Sequence, residues 1–375
     1  FHRGFYSASY AVSCFNVKSG KFISHQMRIA RTISIFIVLF LFTWDFIAAQ
    51  TLPIDKKSFF KDEEIIEMTI TTDLKKLING KDKPNYEQNI QPATVTFLLP
   101  DSSRITQEAE IRPRGDFRRE ECYMPPIKIN FKTGQQGALK KLGALKFVWP
   151  CESTPYYEQL VLKEYLAYKI YNLVTEKSFR TRLVRIESHD SRERLKKHSY
   201  YGFFIEDVDD LAKRNGCVEI DSLKFYTEQT NRLQTTLATL FQYMIGNTDW
   251  GVPVYHNIKL IQDRNDSLSN PYIIPYDFDC SGLVNAKYAL PDLSLAIGNV
   301  RQRAYRGFPR TMEELQSALI VLRDKRDAIN SLIMNCVPLS VKNKKDMIDY
   351  LDEFYKETTN EENVRRLFIT HARRE

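Results

Sequence analysis

The chain lacks a long apolar segment at its N-terminus. The run from Ile33 to Trp44 is twelve residues, against the roughly twenty that a membrane-spanning helix needs. Cysteine is scarce, with six residues in 375. None are paired at zinc-finger spacing, which argues against a structural zinc site. Five lie beyond residue 49 (Cys122, Cys151, Cys217, Cys280 and Cys336), an odd number that fits no closed disulfide framework. Cys122 and Cys151 flank one region; they either pair in an oxidising compartment or stay as buried thiols. Strong charge imbalance is also missing. There are 54 basic and 47 acidic residues, and residues 1–49 hold much of the excess, so a dedicated nucleic-acid binder is not indicated. No glycine-rich phosphate loop, internal repeat or low-complexity tract is visible.

What is present suits a folded protein. Hydrophobic residues make up 43% and charged residues 27%, enough to bury a core over one large domain or two lobes. Met27 is followed by Arg28 and Arg31, the short apolar run, and Ile47-Ala48-Ala49. A positive start, an apolar centre and a small-residue end make a secretory signal. The expectation is a signal peptide at 27–49, a non-native upstream segment at 1–26 and a linker at 50–61. The protein is then secreted, periplasmic or at the cell surface, and touches membrane only if the signal stays uncleaved.

Period-two alternation dominates the next part. Glu67–Thr71, Ala93–Leu99, Thr106–Arg112 and Ile127–Phe131 read as strands. In the last, Ile127, Ile129 and Phe131 share one face, while Lys128 and Asn130 share the other. Apolar residues at helical spacing over Tyr157–Val174 predict a long helix. Strands follow at Arg182–Glu187 and Tyr200–Glu206. Beyond Asp221, a helix is expected over Thr235–Ile245, short strands at Tyr255–Ile261 and Tyr272–Pro275, and then helices to the end. Thr311 and Glu314 form a capping box for the first of these. This order predicts an α+β protein of two lobes, a strand-rich lobe at 62–206 and a helix-rich lobe at 207–375.

The chemistry-bearing residues concentrate in Gly246-Asn247-Thr248-Asp249-Trp250, His256-Asn257 and Pro275-Tyr276-Asp277-Phe278-Asp279. A helix-end loop followed by a hairpin brings Asp249, Asn257 and Asp277 together. One carboxylate then orients or deprotonates an attacking hydroxyl, while an amide and a second carboxylate hold Mg2+ against phosphates. Asp and Asn also crowd ordinary turns, so the spacing alone leaves a structural reading open.

These segments resemble the catalytic stretches of the CotH family of atypical, spore-coat-type protein kinases. Three upstream segments agree in order: Ile111-Arg112-Pro113-Arg114-Gly115-Asp116, Pro126-Ile127-Lys128-Ile129-Asn130-Phe131 and Tyr201-Gly202-Phe203-Phe204-Ile205-Glu206. The likeness covers about residues 105–290. It implies a protein-kinase-like bilobal fold with ATP and Mg2+ or Mn2+ between the lobes, and a protein substrate phosphorylated on Ser or Thr. By position it implies Lys128 on the phosphates, Glu164 paired to Lys128, Arg114 near phosphate, Asp249 as the catalytic acid, Asn257 and Asp277 on metal, and Asp279 as a further carboxylate. The family's second strand lysine is Asn130 here, and Tyr276 stands for the usual Trp.

The same carboxylates suit a nucleotidyl transferase or phosphohydrolase, and a non-catalytic pseudokinase module is a further alternative. His256 is expected to orient Asn257 or Asp277. Arg301, Arg303 and Arg306 are candidates for an acidic substrate, and the basic run Arg192–Lys197 reads as a solvated loop.

Overall fold

The computed structural model describes residues 54–99, 102–131, 137–221 and 224–373. The expected upstream segment (1–26), the signal peptide (27–49) and the start of the linker lie outside them. Residues 56–61, expected as linker, form helix α1 (Lys56–Lys61), capped by Asp55 and burying Phe59 and Phe60.

Strand β1 (Ile66–Thr72) is followed by helix α2 (Leu74–Gly80) and the hairpin β2 (Gln91–Leu98) and β3 (Arg104–Pro113). Helix α3 (Phe117–Glu121), strand β4 (Ile127–Asn130) and strand β5 (Ala144–Val148) come next. Helix α4 (Pro155–Val174) leads to strands β6 (Thr181–Asp190) and β7 (His198–Ile205). These seven strands close into a barrel in the order β1-β2-β3-β4-β5-β7-β6. All neighbours run antiparallel except the closing pair, β1 with β6, where Ile66 stands beside Val184 in parallel register. Small barrels fill their interior with side chains. Here Phe97, Phe131, Phe147 and Phe204 do so, with Ile70, Val95, Ile111, Ile129 and Val184, all fully buried. Ring contacts link Phe59, Phe97, Phe131, Phe147 and Phe204.

Helix α5 (Val208–Arg214), strand β8 (Cys217–Ile220), helix α6 (Arg232–Met244) and the hairpin β9 (Ile258–Asp263) and β10 (Tyr272–Pro275) follow, the strands forming a sheet ordered β10-β9-β8. Helices α7 (Met312–Asp324), α8 (Arg326–Asn335), α9 (Val341–Glu357) and α10 (Glu361–Arg365) complete the described chain. The Thr311–Glu314 capping box forms as read.

The kinase-like bilobal fold expected from the resemblance is not the fold adopted. The strand-rich half is a closed mixed barrel, not the sheet of an N-lobe. The helical half is not a separate lobe either. Val148, Leu183, Phe203 and Ile205 of the barrel share one hydrophobic cluster with α4, α6, β9 and β10. Helix α4 is buried on nearly every side because it packs against both β7 and α8. Pro53–Glu375 accordingly forms one compact unit.

Candidate functional site

Two walls of opposite charge face each other across a cleft of about 680 Å³. Its lining includes Arg114, Lys128, Asp249, Asn257, Asp277 and Asp279, so six of the seven site residues expected from the sequence meet there. Glu164 does not line it.

One wall is the outer face of the barrel. Ile127 and Ile129 point into the barrel, which turns Lys128 outward. Lys128 pairs across strands with Arg112 on β3 and with Lys146 on β5, so three cations stand in one row. Arg112 reaches Glu87 at 3.3 Å. Lys146 lies 5.4 Å from the centre of the Tyr276 ring. Burial, Arg114 and Lys259 push the Lys146 ammonium down to about 8. Adjacent like charges on paired strands are destabilising, so this row is set up for an anion. Lys146 escaped the sequence reading because β5 was not recognised as a strand. Its signal was the alternation Ala144-Leu145-Lys146-Phe147-Val148, which turns Lys146 outward beside Lys128.

The other wall comes from the β9/β10 hairpin and the loop after α6. Pro275 pairs with Ile258, and the Tyr276 amide donates to the Asn257 carbonyl at 3.1 Å. That register sets Asn257 and Asp277 beside each other just beyond the strand ends. Asn257 Nδ2 donates to the Asp249 carbonyl at 2.8 Å and to Asp249 Oδ2 at 3.0 Å. His256 Nε2 lies 2.6 Å from Asp249 Oδ1. His256 Nε2 also lies 3.4 Å from Nδ2 of Asn257, one of the two partners expected for it, and both residues hold Asp249 in place. Tyr255, Asn257 and Asp277 all have positive φ (53°, 51° and 62°). For residues with a side chain such backbone costs about 1–3 kcal/mol each. Strain of this kind clusters at sites where geometry matters more than stability.

Asp277 donates its backbone amide to the Tyr168 hydroxyl at 2.8 Å. Among the described residues no protein group donates to its carboxylate. Burial and the neighbouring Asp279 push that carboxyl up to about 6, against the pull of Arg114 and Arg118. Asp279 is buried and accepts from the Tyr288 hydroxyl at 3.0 Å.

Glu164 does not hold Lys128. It pairs with Arg118, whose Nη1 lies 3.0 Å from Glu164 Oε2 and whose Nη2 donates to the Trp149 carbonyl at 2.9 Å. The reason is placement: Glu164 faces α3, and Lys128 stands among cations on the barrel surface. Arg118 is the second residue the sequence reading missed. Its Nε also lies 3.8 Å from Asp279 Oδ2. Burial works against its charge, but Tyr288, Glu164 and Asp279 outweigh this and raise its pKa. Nothing in the local sequence marks it, since α3 is a short charged helix buried by tertiary contacts from Lys81, Trp149 and Glu164. Arg114 Nε and Arg118 Nε are buried with no hydrogen-bond partner.

Arg301, Arg303 and Arg306 do not line the cleft. Arg301 bonds Asp346 at 3.1 Å, Arg303 lies 3.8 Å from the centre of the Tyr350 ring, and Arg306 pairs with Asp292. They hold loops and helices together. Among the described residues no group of three or more His, Cys, Asp or Glu side chains is arranged as a metal site. No protein-family model matches the chain, and no curated protein matches it.

Proposed function

We propose that the cleft binds the polyphosphate of ATP together with Mg2+ or Mn2+, and that the protein transfers the γ-phosphoryl group to a Ser or Thr hydroxyl of another protein. One observation carries the reading: the row Arg112–Lys128–Lys146, in which Glu87 meets Arg112 while Lys128 and Lys146 have no ion pair among the described residues, faces the under-partnered carboxylate of Asp277 across a single cleft. A polyphosphate satisfies the first and a divalent cation the second. Arg114, whose Nε has no hydrogen-bond partner among the described residues, lines the cleft and adds a guanidinium suited to phosphate oxygens. The motif likeness to CotH-family kinases supports the reading at the level of residues only, because the fold differs.

The donor set fits a hard cation. Asp277, Asp279 and the Asn257 amide oxygen offer oxygen ligands, and Mg2+ is commonly held by one or two carboxylates with phosphates and water. Such a cation, when bound, neutralises charge on the phosphates. Lys128 and Lys146 hold the phosphates from the barrel side. Asp249, fixed by Asn257 and His256, accepts the proton of the acceptor hydroxyl. The hydroxyl oxygen bonds to the γ-phosphorus as the bond from that phosphorus to the β–γ bridging oxygen breaks, leaving ADP. An oxidising compartment is part of the proposal, supported by the Cys122–Cys151 disulfide.

The test is calorimetric titration of ATP with and without Mg2+, followed by intact-mass analysis after incubation with both. Metal-dependent binding and a phosphate adduct support the proposal. A nucleotide adduct points to nucleotidyl transfer, and free inorganic phosphate without an adduct points to hydrolysis. Absence of any nucleotide binding at millimolar ATP ends the reading.

A further inference from the structure

A second concave site lies where α2, the loop 81–89 and the turn between β6 and β7 meet, and it shares no lining residue with the cleft. Its volume is about 600 Å³, within the range of ordinary ligand pockets. Five cations line it: Lys75 and Lys76 from α2, Lys83 from the loop, and Arg192 and Arg194 from the turn. Among the described lining residues the one carboxylate is Asp73, and Asp190 outside the lining also pairs with Arg194 at 3.1 Å. Asp73 is occupied, because it caps α2 by accepting from the Lys76 amide at 2.8 Å and pairs with both Arg192 and Arg194. Asp82, beside the pocket, is taken by Lys81 at 2.9 Å. Glu193 lies in the same turn but outside the lining. Within the run Arg192–Lys197, expected as a solvated loop, Arg192 is held by Asp73 and Arg194 by Asp73 and Asp190.

Amide side chains alternate with these cations: Asn79, Asn85, Gln88 and Asn89. Asn89 packs against Gly80, where a Cβ would meet its Nδ2 at 2.1 Å. That Nδ2 is buried with no hydrogen-bond partner. A bare phosphate or sulfate needs donors only. Amides carry a donor and an acceptor on one group, which matches the hydroxyls of a sugar. From the charge and the amides together we infer that this pocket binds an acidic oligosaccharide, its sulfate or carboxylate groups on Lys75, Lys83 and Arg192 and its hydroxyls on the amides. The inference stands apart from the reading of the cleft.

The experiment is calorimetric titration of the whole protein with three probes: a heparin-derived hexasaccharide, an oligogalacturonate of equal length, and a polyphosphate of matched charge. At least one oligosaccharide is expected to bind at least tenfold more tightly than polyphosphate, and the preferred one identifies the anionic group. Lys75→Glu with Lys83→Glu, both exposed, should weaken that binding at least tenfold with the melting temperature unchanged. Asn89→Ala should weaken it several-fold, and Arg192→Glu provides a second charge reversal should the double variant misfold. Equal binding of polyphosphate, no binding of either oligosaccharide, or undiminished affinity in the folded charge-reversed variants would overturn the assignment.

Discussion

Glu164 on the long helix α4 closes on Arg118 at 3.0 Å, and both side chains are buried. Removing one member of such a pair strands the other charge away from water, which costs about 3–5 kcal/mol. Arg118→Met should therefore lower unfolding free energy by about that amount. Glu164→Gln, which keeps an oxygen acceptor for Arg118, should cost less. Chemical denaturation of both variants provides the comparison. A loss below about 1 kcal/mol for Arg118→Met would show that the pair does not hold α3 in place.

Lys128 has like-charged cross-strand neighbours on both sides. Lys128→Met should raise stability slightly, by about 0.2–1 kcal/mol, while weakening ATP binding at least tenfold. Opposite effects on stability and affinity are the signature of a residue kept for a ligand. Thermal melts paired with titrations measure both. A variant that loses stability and keeps its affinity would remove Lys128 from the site.

Lys146 is pushed down to about 8 by burial and its basic neighbours. A phosphate beside it restores its affinity for a proton. Near pH 8 the free side chain is only partly charged, so ATP binding should take up protons there and take up fewer near pH 6. Titration in buffers of different ionisation enthalpy measures the uptake. Lys146→Arg, always charged, should bind without this uptake.

Asp277 titrates near 6 in the folded chain, raised by burial and by Asp279, against about 3.9 when unfolded. The folded state holds this proton more tightly, so stability falls as pH rises through that interval. Asp277→Asn removes the penalty. The variant should be more stable than the parent well above pH 6, by about 3 kcal/mol, and equal to it near pH 3. Mg2+ with ATP should then stabilise the parent and leave the variant unchanged. Melts across pH, with and without ligand, check both halves.

Much of the strand and helix pattern was legible in the sequence, because burial on one side of a strand forces alternation and burial along a helix forces a 3.6-residue rhythm. Strand β10 (Tyr272–Pro275) is where it was read, and α4 starts two residues before Tyr157. The barrel was not legible. Alternation is the same in an open sheet and a closed one, and closure rests on the parallel pairing of β1 with β6, from Ile66 beside Val184 to Thr72 beside Asp190, far apart in the chain. The gathering of Asp249, Asn257 and Asp277 could be read because a hairpin fixes its own ends. The partner of Glu164 could not, because Arg118 reaches it through tertiary placement alone.

The bond between Cys122 and Cys151 fastens the end of α3 to the segment that leads into α4. A five-residue helix has little tendency to persist alone; beside this staple, Arg118 on Glu164 and the Trp149 carbonyl and Arg119 on the Lys81 carbonyl hold it in place. Thiol reductants should therefore loosen α3 before they melt the barrel, whose described core contains no cysteine, and leave the wall carried by the β9/β10 hairpin in place.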